Sequence, residues 1–209
     1  MFAFIFTELF VLLIIIFLLL ILSWVWPPDS PWAPWWQMPS DVIKKMCTMA
    51  KISSKDVVYD LGCGTGNALI YASRTYNAKG VGIEIDPIRY RLARLNVWKV
   101  RHSGAKRSGV IESQRSYRAK ALQDDRTQIT LLRKNFFDVS LAPATVIFIY
   151  LVPAALKRLT PKFLRELKPR TKFISYVYPM PEELFKGKLK LMHHDTKNKI
   201  FLYQLLTKS

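Results

Sequence analysis

The stretch "VVYDLGCGTGN", Val57 to Asn67, sets three glycines in five positions directly behind an apolar run and an aspartate. "VVYDL" reads as a short buried parallel strand, and a helix over Asn67 to Tyr76 follows the glycines. Between a strand and a helix, glycine permits positive φ and lets a ligand approach the backbone with no Cβ in the way. The helix N-terminus then points free N–H groups at whatever is bound. Spacing narrows the ligand. Dinucleotide binding uses G-x-G-x-x-G, with the pyrophosphate on the helix N-terminus. Here Gly62, Gly64 and Gly66 read G-x-G-x-G, and Asn67 stands where that pattern needs its third glycine. No P-loop lysine follows. Asp60, ahead of the first glycine, would repel a pyrophosphate; it suits a ligand with positive charge and hydrogen-bond donors.

S-adenosylmethionine (SAM) is such a ligand, carrying a sulfonium, an α-ammonium and ribose hydroxyls. The next strand, "GVGIEID", places Glu84 at a strand C-terminus about 20 residues beyond the glycines, where an acid can accept both ribose hydroxyls. Asp86 is the fallback, with a competing role as cap of a helix that begins at Pro87.

The rest of the chain alternates in the same way. Ser40 is placed to N-cap a helix whose apolar positions include Val42, Ile43 and Met46. A helix from about Pro87 to Val100, strands "QITLLR" and "ATVIFIYLV", a helix "LKRLTPKFLRELK" and a strand "TKFISYVY" follow. "KLKLMHH" and "KIFLYQLL" flank a polar turn. The expected fold is α/β, a Rossmann-like doubly wound sheet with a terminal antiparallel hairpin. A basic stretch from Lys99 to Arg126 interrupts the rhythm. It reads as a solvated insertion or as an electrostatic contact with anionic lipid or nucleic acid.

The 209 residues carry a formal net charge of +17, yet half are hydrophobic. The two properties occupy different regions, because no lysine or arginine precedes Lys44 while the opening is "MFAFIFTELFVLLIIIFLLLILSWVW". That run is long enough, as a helix, for a hydrocarbon core of about 30 Å. It lacks the basic n-region and small-residue cleavage site of a signal peptide, and so reads as a retained single-pass anchor over residues 1–26. Lys44, Lys45, Lys51 and Lys55 follow it, which by the positive-inside rule leaves the remaining chain in the cytoplasm. Cys47 and Cys63, too few for a disulfide framework, read as free thiols, in keeping with that compartment. Residues 27–38, rich in tryptophan and proline, form either a membrane-surface linker or, through Trp35, Trp36 and Met38, a lid. The domain proper is expected over 39–209.

"DVVYDLGCGTGN", "GVGIEIDP" and "LKRLTPKFLRELKPRTKFISYVYPM" resemble the class I SAM-dependent protein-lysine methyltransferases, specifically the group containing the ATP synthase c-subunit and adenine nucleotide translocase lysine methyltransferases and their prokaryotic relatives. The resemblance runs from about Met38 to Met180. It implies SAM as cofactor, with Asp60, Gly62, Gly64 and Gly66 around its methionine part and Glu84 on its ribose; Cys63 and Asn67, in the same loop, are further cofactor-binding candidates. Asn135, with Phe136 beside it, takes the place where an acid usually meets the adenine amine. Members of this group also tend to carry a hydrophobic segment ahead of the fold. The loop departs from relatives in reading G-T-G-N where G-D-G-R is frequent.

Methyl transfer from a sulfonium is an in-line displacement that needs alignment and water exclusion. It needs no metal, and the sequence indicates none: His102, His193 and His194 read as surface residues. Tyr150, at the end of "VIFIY", either lines the acceptor channel or packs at the sheet edge; Tyr176 and Tyr178 are further candidates. No residue is an evident general base, so a lysine acceptor would lose its proton through desolvation. An anchor favours membrane-borne acceptors, either a lysine of a membrane protein or the amine of a phospholipid headgroup. A non-catalytic SAM-binding surface module is the third reading. Nucleic acid is not the expected partner, since "FIYLVP" lacks the N/D-P-P-Y/F strand end of base-amine methylation.

Overall fold

The computed structural model describes residues 2–25, 36–103 and 128–206, with side chains in the first stretch described over 5–22. The chain order is α1 (Phe2–Val25), α2 (Ser40–Met49), β1 (Val57–Leu61), α3 (Asn67–Tyr76), β2 (Lys79–Ile83), α4 (Pro87–Ser103), β3 (Ile129–Leu132), β4 (Val146–Ile149), α5 (Pro153–Glu166), β5 (Lys172–Tyr176), a 3₁₀ turn (Glu182–Phe185), β6 (Leu189–Asp195) and β7 (Ile200–Leu205). The strands form one sheet of order β3-β2-β1-β4-β5-β7-β6. β1 to β5 run parallel, while β7 enters antiparallel between β5 and β6. The expected doubly wound sheet and terminal hairpin are therefore both present.

The continuous apolar run "VIFI" is explained by its place in the middle of the sheet, covered on both faces. Ile147 and Ile149 pack with Leu156, Leu159 and Phe163 of α5. Val146 and Phe148 turn the other way, toward Val42, Ile43 and Met46 of α2 and Leu69 and Ala72 of α3. Both sets are almost wholly buried. Burying a side chain of this size contributes about 1.5–3 kcal/mol, so a polar group introduced in this strand is costly.

Several element ends differ from the sequence expectation. α2 starts at Ser40 itself, with Pro39 as N-cap and no side-chain cap bond. The first intrahelical bond runs from Ile43 N–H to Pro39 O at 3.0 Å, one residue earlier than a Ser40 cap would set it. α4 continues to Ser103, so the first residues of the basic stretch are helical, and His102 packs on Trp98. The remainder of that stretch, over 104–126, lies outside the described residues, as do Trp26, Trp32 and Trp35. α5 begins at Pro153, whose fixed φ suits the first helical position. It passes through Pro161, where the Thr160 hydroxyl donates to Leu156 O at 2.9 Å.

Along α1, Ile5–Leu22 is long and apolar enough to cross a membrane, and all of these side chains are exposed. A signal sequence meets the same criteria. At the far edge, His194 stacks on Phe201 with centroids 4.1 Å apart, and Lys45 of α2 forms an ion pair with Asp195.

Candidate active site

The strand order reverses between β1 and its neighbours β2 and β4, and the crevice outside the C-terminal ends of these strands is where open α/β sheets bind ligands. A cavity lies there. Asp60, Gly62, Cys63, Gly64, Asn67, Glu84, Phe136 and Tyr150 all line it, so most of the residues singled out from sequence converge on one place.

The glycine loop is built by hydrogen bonds that only its backbone shape allows. Gly62 N–H and Cys63 N–H both donate to Ile83 O, at 2.9 and 3.0 Å. Gly62, Gly64 and Gly66 have φ of +82°, +53° and +78°, a region L-residues avoid. Gly66 does not line the cavity. It caps α3, and a Cβ there would meet the Ala93 Cβ at 3.6 Å, so its task is the turn into α3 beside α4.

Glu84 sits just past β2, almost fully buried. Its Oε2 accepts Gly64 N–H and its Oε1 accepts Asp86 N–H, each at 2.9 Å. The acid thus clamps the glycine loop to the end of β2, and each oxygen keeps a further lone pair. Burial raises its pKa, while the two N–H bonds and Arg89 oppose that. Asp86 is occupied elsewhere, since its Oδ1 accepts Arg89 N–H at 2.7 Å and caps α4.

Asp60 stands differently. It is buried against the cavity, and no hydrogen-bond partner for its carboxylate is found among the described residues. Burial first, and then the Glu84 charge, push its carboxyl up to about 7. Two carboxylates in one desolvated cleft call for a cation with donors between them. Nearby, burial and Asp60 push the Cys63 thiol well up, which keeps it protonated.

Asn135 and Phe136 part company. Phe136 lines the cavity, but Asn135 does not. The Asn135 Oδ1 accepts Phe137 N–H at 3.1 Å and its carbonyl accepts Asp138 N–H, closing the turn after β3. Arg89, buried and on the cavity wall, was not anticipated from sequence; the only signal was its place in the first turn behind the Asp86 cap. Trp36, Gln37 and Met38 form another wall, so the tail of the tryptophan-rich segment reaches the site.

Tyr150 follows β4, half-buried, with its ring 4.9 Å from that of Tyr176. Burial, then Tyr176 and Tyr178, raise its pKa, so the phenol stays protonated and acts as a hydrogen-bonding group. The chain beyond Tyr176 makes a γ-turn: Tyr178 N–H donates to Tyr176 O at 2.9 Å across Val177, whose φ is +70°. This conformation is strained for a β-branched residue. The buried Ser175 hydroxyl, donating to Tyr178 O at 2.6 Å, holds it.

Residues 60–184 match the family model described as the ANTKMT methyltransferase domain. A protein-lysine N-methyltransferase of Saccharolobus islandicus (strain REY15A) is 31% identical over 181 residues, covering 84% of this chain and 94% of that protein. Among solved structures, an RNA methyltransferase from Salinibacter ruber in complex with S-adenosyl-L-homocysteine aligns with a TM-score of 0.62 and 26% identity, over 83% of this chain and 96% of that one. A putative methyltransferase from Escherichia coli, at 13% identity and a TM-score of 0.57 over 84% and 90% of the two chains, shares the fold. The cleft suits SAM on its own evidence, because it offers a buried unpaired carboxylate and a loop with no Cβ at Gly62 and Gly64. With this cofactor and these relatives, the chain belongs to the ANTKMT methyltransferase family and is a class I SAM-dependent methyltransferase.

Proposed function

We propose that this enzyme is held in a membrane by α1 and methylates lysine side chains of a membrane-associated protein. The observation that carries the lysine reading is the 31% identity to a protein-lysine N-methyltransferase across most of both chains. The apolar α1, followed by a chain whose basic residues all lie beyond it, supports the anchor and a cytoplasmic catalytic domain. SAM supplies an electrophilic methyl group when bound.

The chain's own residues then have distinct tasks. Asp60 receives the α-ammonium, for which its unpaired carboxylate is suited. Glu84 accepts ribose hydroxyls on its remaining lone pairs while holding Gly64 in place. Gly62, Cys63, Gly64 and Asn67 shape the loop around the methionine part, and Gly66 sets the turn that carries it. Phe136 gives the adenine an apolar wall, with Asn135 fixing the turn that presents it. Tyr150 orients the incoming amine by its hydroxyl or ring. Neutral amine is favoured by desolvation in the cleft, which lowers a lysine pKa.

Membranes from a host lacking the gene, treated with methyl-labelled SAM and the enzyme, test this reading. Label in a discrete membrane-protein band, absent with Gly64→Arg, is the expected result. Label in the lipid fraction would replace lysine by a headgroup amine. Label in RNA would align the enzyme with the activity named for the Salinibacter protein. No label anywhere, with SAM binding intact, would favour a non-catalytic module.

A further inference from the structure

We propose that the cleft end of the sheet docks on an anionic lipid headgroup surface through the β6–β7 turn and the exposed side of α2. This rests on the reading of α1 as a membrane anchor and adds to it an orientation for the catalytic domain.

The tether supplies the first argument. α1 ends at Val25, and the chain is next described at Trp36, which lines the cofactor cleft. Ten residues, 26–35, separate the two points. At about 3.3–3.6 Å per residue their full reach is no more than about 40 Å. The cleft mouth therefore lies within about 40 Å of the end of α1, a limit set at the cleft and at no other part of the sheet.

Topology places a basic surface at that same end. Because β7 is antiparallel to β5, its first residue, Ile200, pairs with Tyr176 at the cleft end. The β6–β7 turn stands beside it, carrying exposed Lys197 and Lys199. The ion pair from Lys45 to Asp195 fastens this turn to α2, which adds exposed Lys44. The same pair neutralises Asp195, leaving Asp41 as the exposed acid of α2. β6 also exposes Met192, 49% at its bulge, and the cleft mouth exposes Trp36, 67%. Basic side chains interleaved with exposed apolar and tryptophan side chains match a headgroup interface. The opposite end of the sheet is basic too, through Lys51, Lys55 and Lys79. Charge alone would serve either end, and the attachment of the tether at Trp36 favours the one with the cleft.

The test uses the full chain in lipid nanodiscs of phosphatidylcholine, with or without phosphatidylglycerol. Met192→Cys carries a small fluorophore, and doxyl-lipid quenching reports depth. Cys47 and Cys63 are buried with raised thiol pKa values and resist the label. Quenching is expected to rise several-fold with phosphatidylglycerol and to return to the phosphatidylcholine level in Lys197→Glu/Lys199→Glu, with SAM affinity unchanged as the folding control. A label at exposed Thr130 on β3, the opposite edge strand, should not respond. Equal quenching in both lipids, an equal response at Thr130, or quenching relieved by added RNA would overturn the docking while leaving the anchor standing. Elution of the protein without lipid before any fluorescence is read would overturn the anchor, and the docking with it.

Discussion

Taking the pH from about 8 down to about 6 is expected to weaken SAM binding about fourfold, because the protonation of Asp60 outweighs the charge gained by the ligand's amino group. Its carboxyl sits at about 7 because it is buried and faces Glu84. About nine-tenths of it is ionised at pH 8 and about one-tenth at pH 6, so the form able to receive an ammonium falls by nearly a factor of ten. The α-amino group of the ligand titrates at about 7.7–8.0, so its charged fraction rises about twofold over the same interval and the net loss is about fourfold. Isothermal titration at several pH values, repeated in buffers of different ionisation enthalpy, should show close to one proton released per SAM bound near pH 6. Stability without ligand moves the opposite way. A folded-state pKa raised above the unfolded value of about 3.9 stabilises the fold at low pH, and that contribution is lost as pH climbs through 7. The loss across those three or so units is about 4 kcal/mol, so the ligand-free melting temperature should fall between pH 5 and pH 8 and saturating SAM should oppose the fall. Asp60→Asn should bind SAM weakly, with no loss of affinity toward pH 6. A wild-type profile that is flat, or an equal slope in Asp60→Asn, would refute the assignment of Asp60.

Glu84→Gln replaces one acceptor oxygen by an amide donor, so either Gly64 N–H or Asp86 N–H loses its partner. Leaving a buried donor unpaired costs about 1–3 kcal/mol, and calorimetry should show SAM affinity down by roughly tenfold to a hundredfold. Gly82→Ala would set its Cβ 2.7–2.8 Å from Leu131, Cys63 and Leu69 side-chain atoms at once. Crowding of this kind costs about 1–3 kcal/mol, measurable as a shifted urea midpoint, with binding affected through Cys63. Trp36→Ala removes one wall of the cavity. SAM dissociation should quicken several-fold in stopped-flow fluorescence with the melting curve unchanged, whereas an unaltered rate would make Trp36 part of a linker only.

The central sheet was legible because its strands obey simple rules. "VVYDL" and "VIFI" are apolar without alternation, and such strands are buried on both faces. The glycine loop and Glu84 were legible because a left-handed backbone and a strand-end acid leave marks in the sequence that packing does not blur. Asn135 was harder. Whether a short amide faces a ligand or closes its own turn depends on a local hydrogen bond to Phe137 N–H, and both uses suit the same residue. Arg89 gave even less notice, since one arginine in a basic helix looks like the rest until burial separates it. The strain at Val177 left no mark at all, because nothing in the sequence sets a valine at positive φ apart from any other strand-end valine.

The position of β7 has a kinetic consequence. β6 pairs with β7 alone, and β7 comes later in the chain, so β6 cannot join the sheet in the order in which it is synthesised. The hairpin can form first on its own, because its turn is short and Asp195 accepts both the backbone and side-chain N–H groups of Asn198, at 3.1 and 2.9 Å. It then adds to β5 as a unit, burying Tyr203, whose hydroxyl accepts Met180 N–H at 3.3 Å. Until that step β5 is an open edge, apolar through Phe173 and Ile174, and available to any other strand. The nascent protein therefore has a defined interval of vulnerability to mispairing, which closes when Ile200 to Leu205 docks.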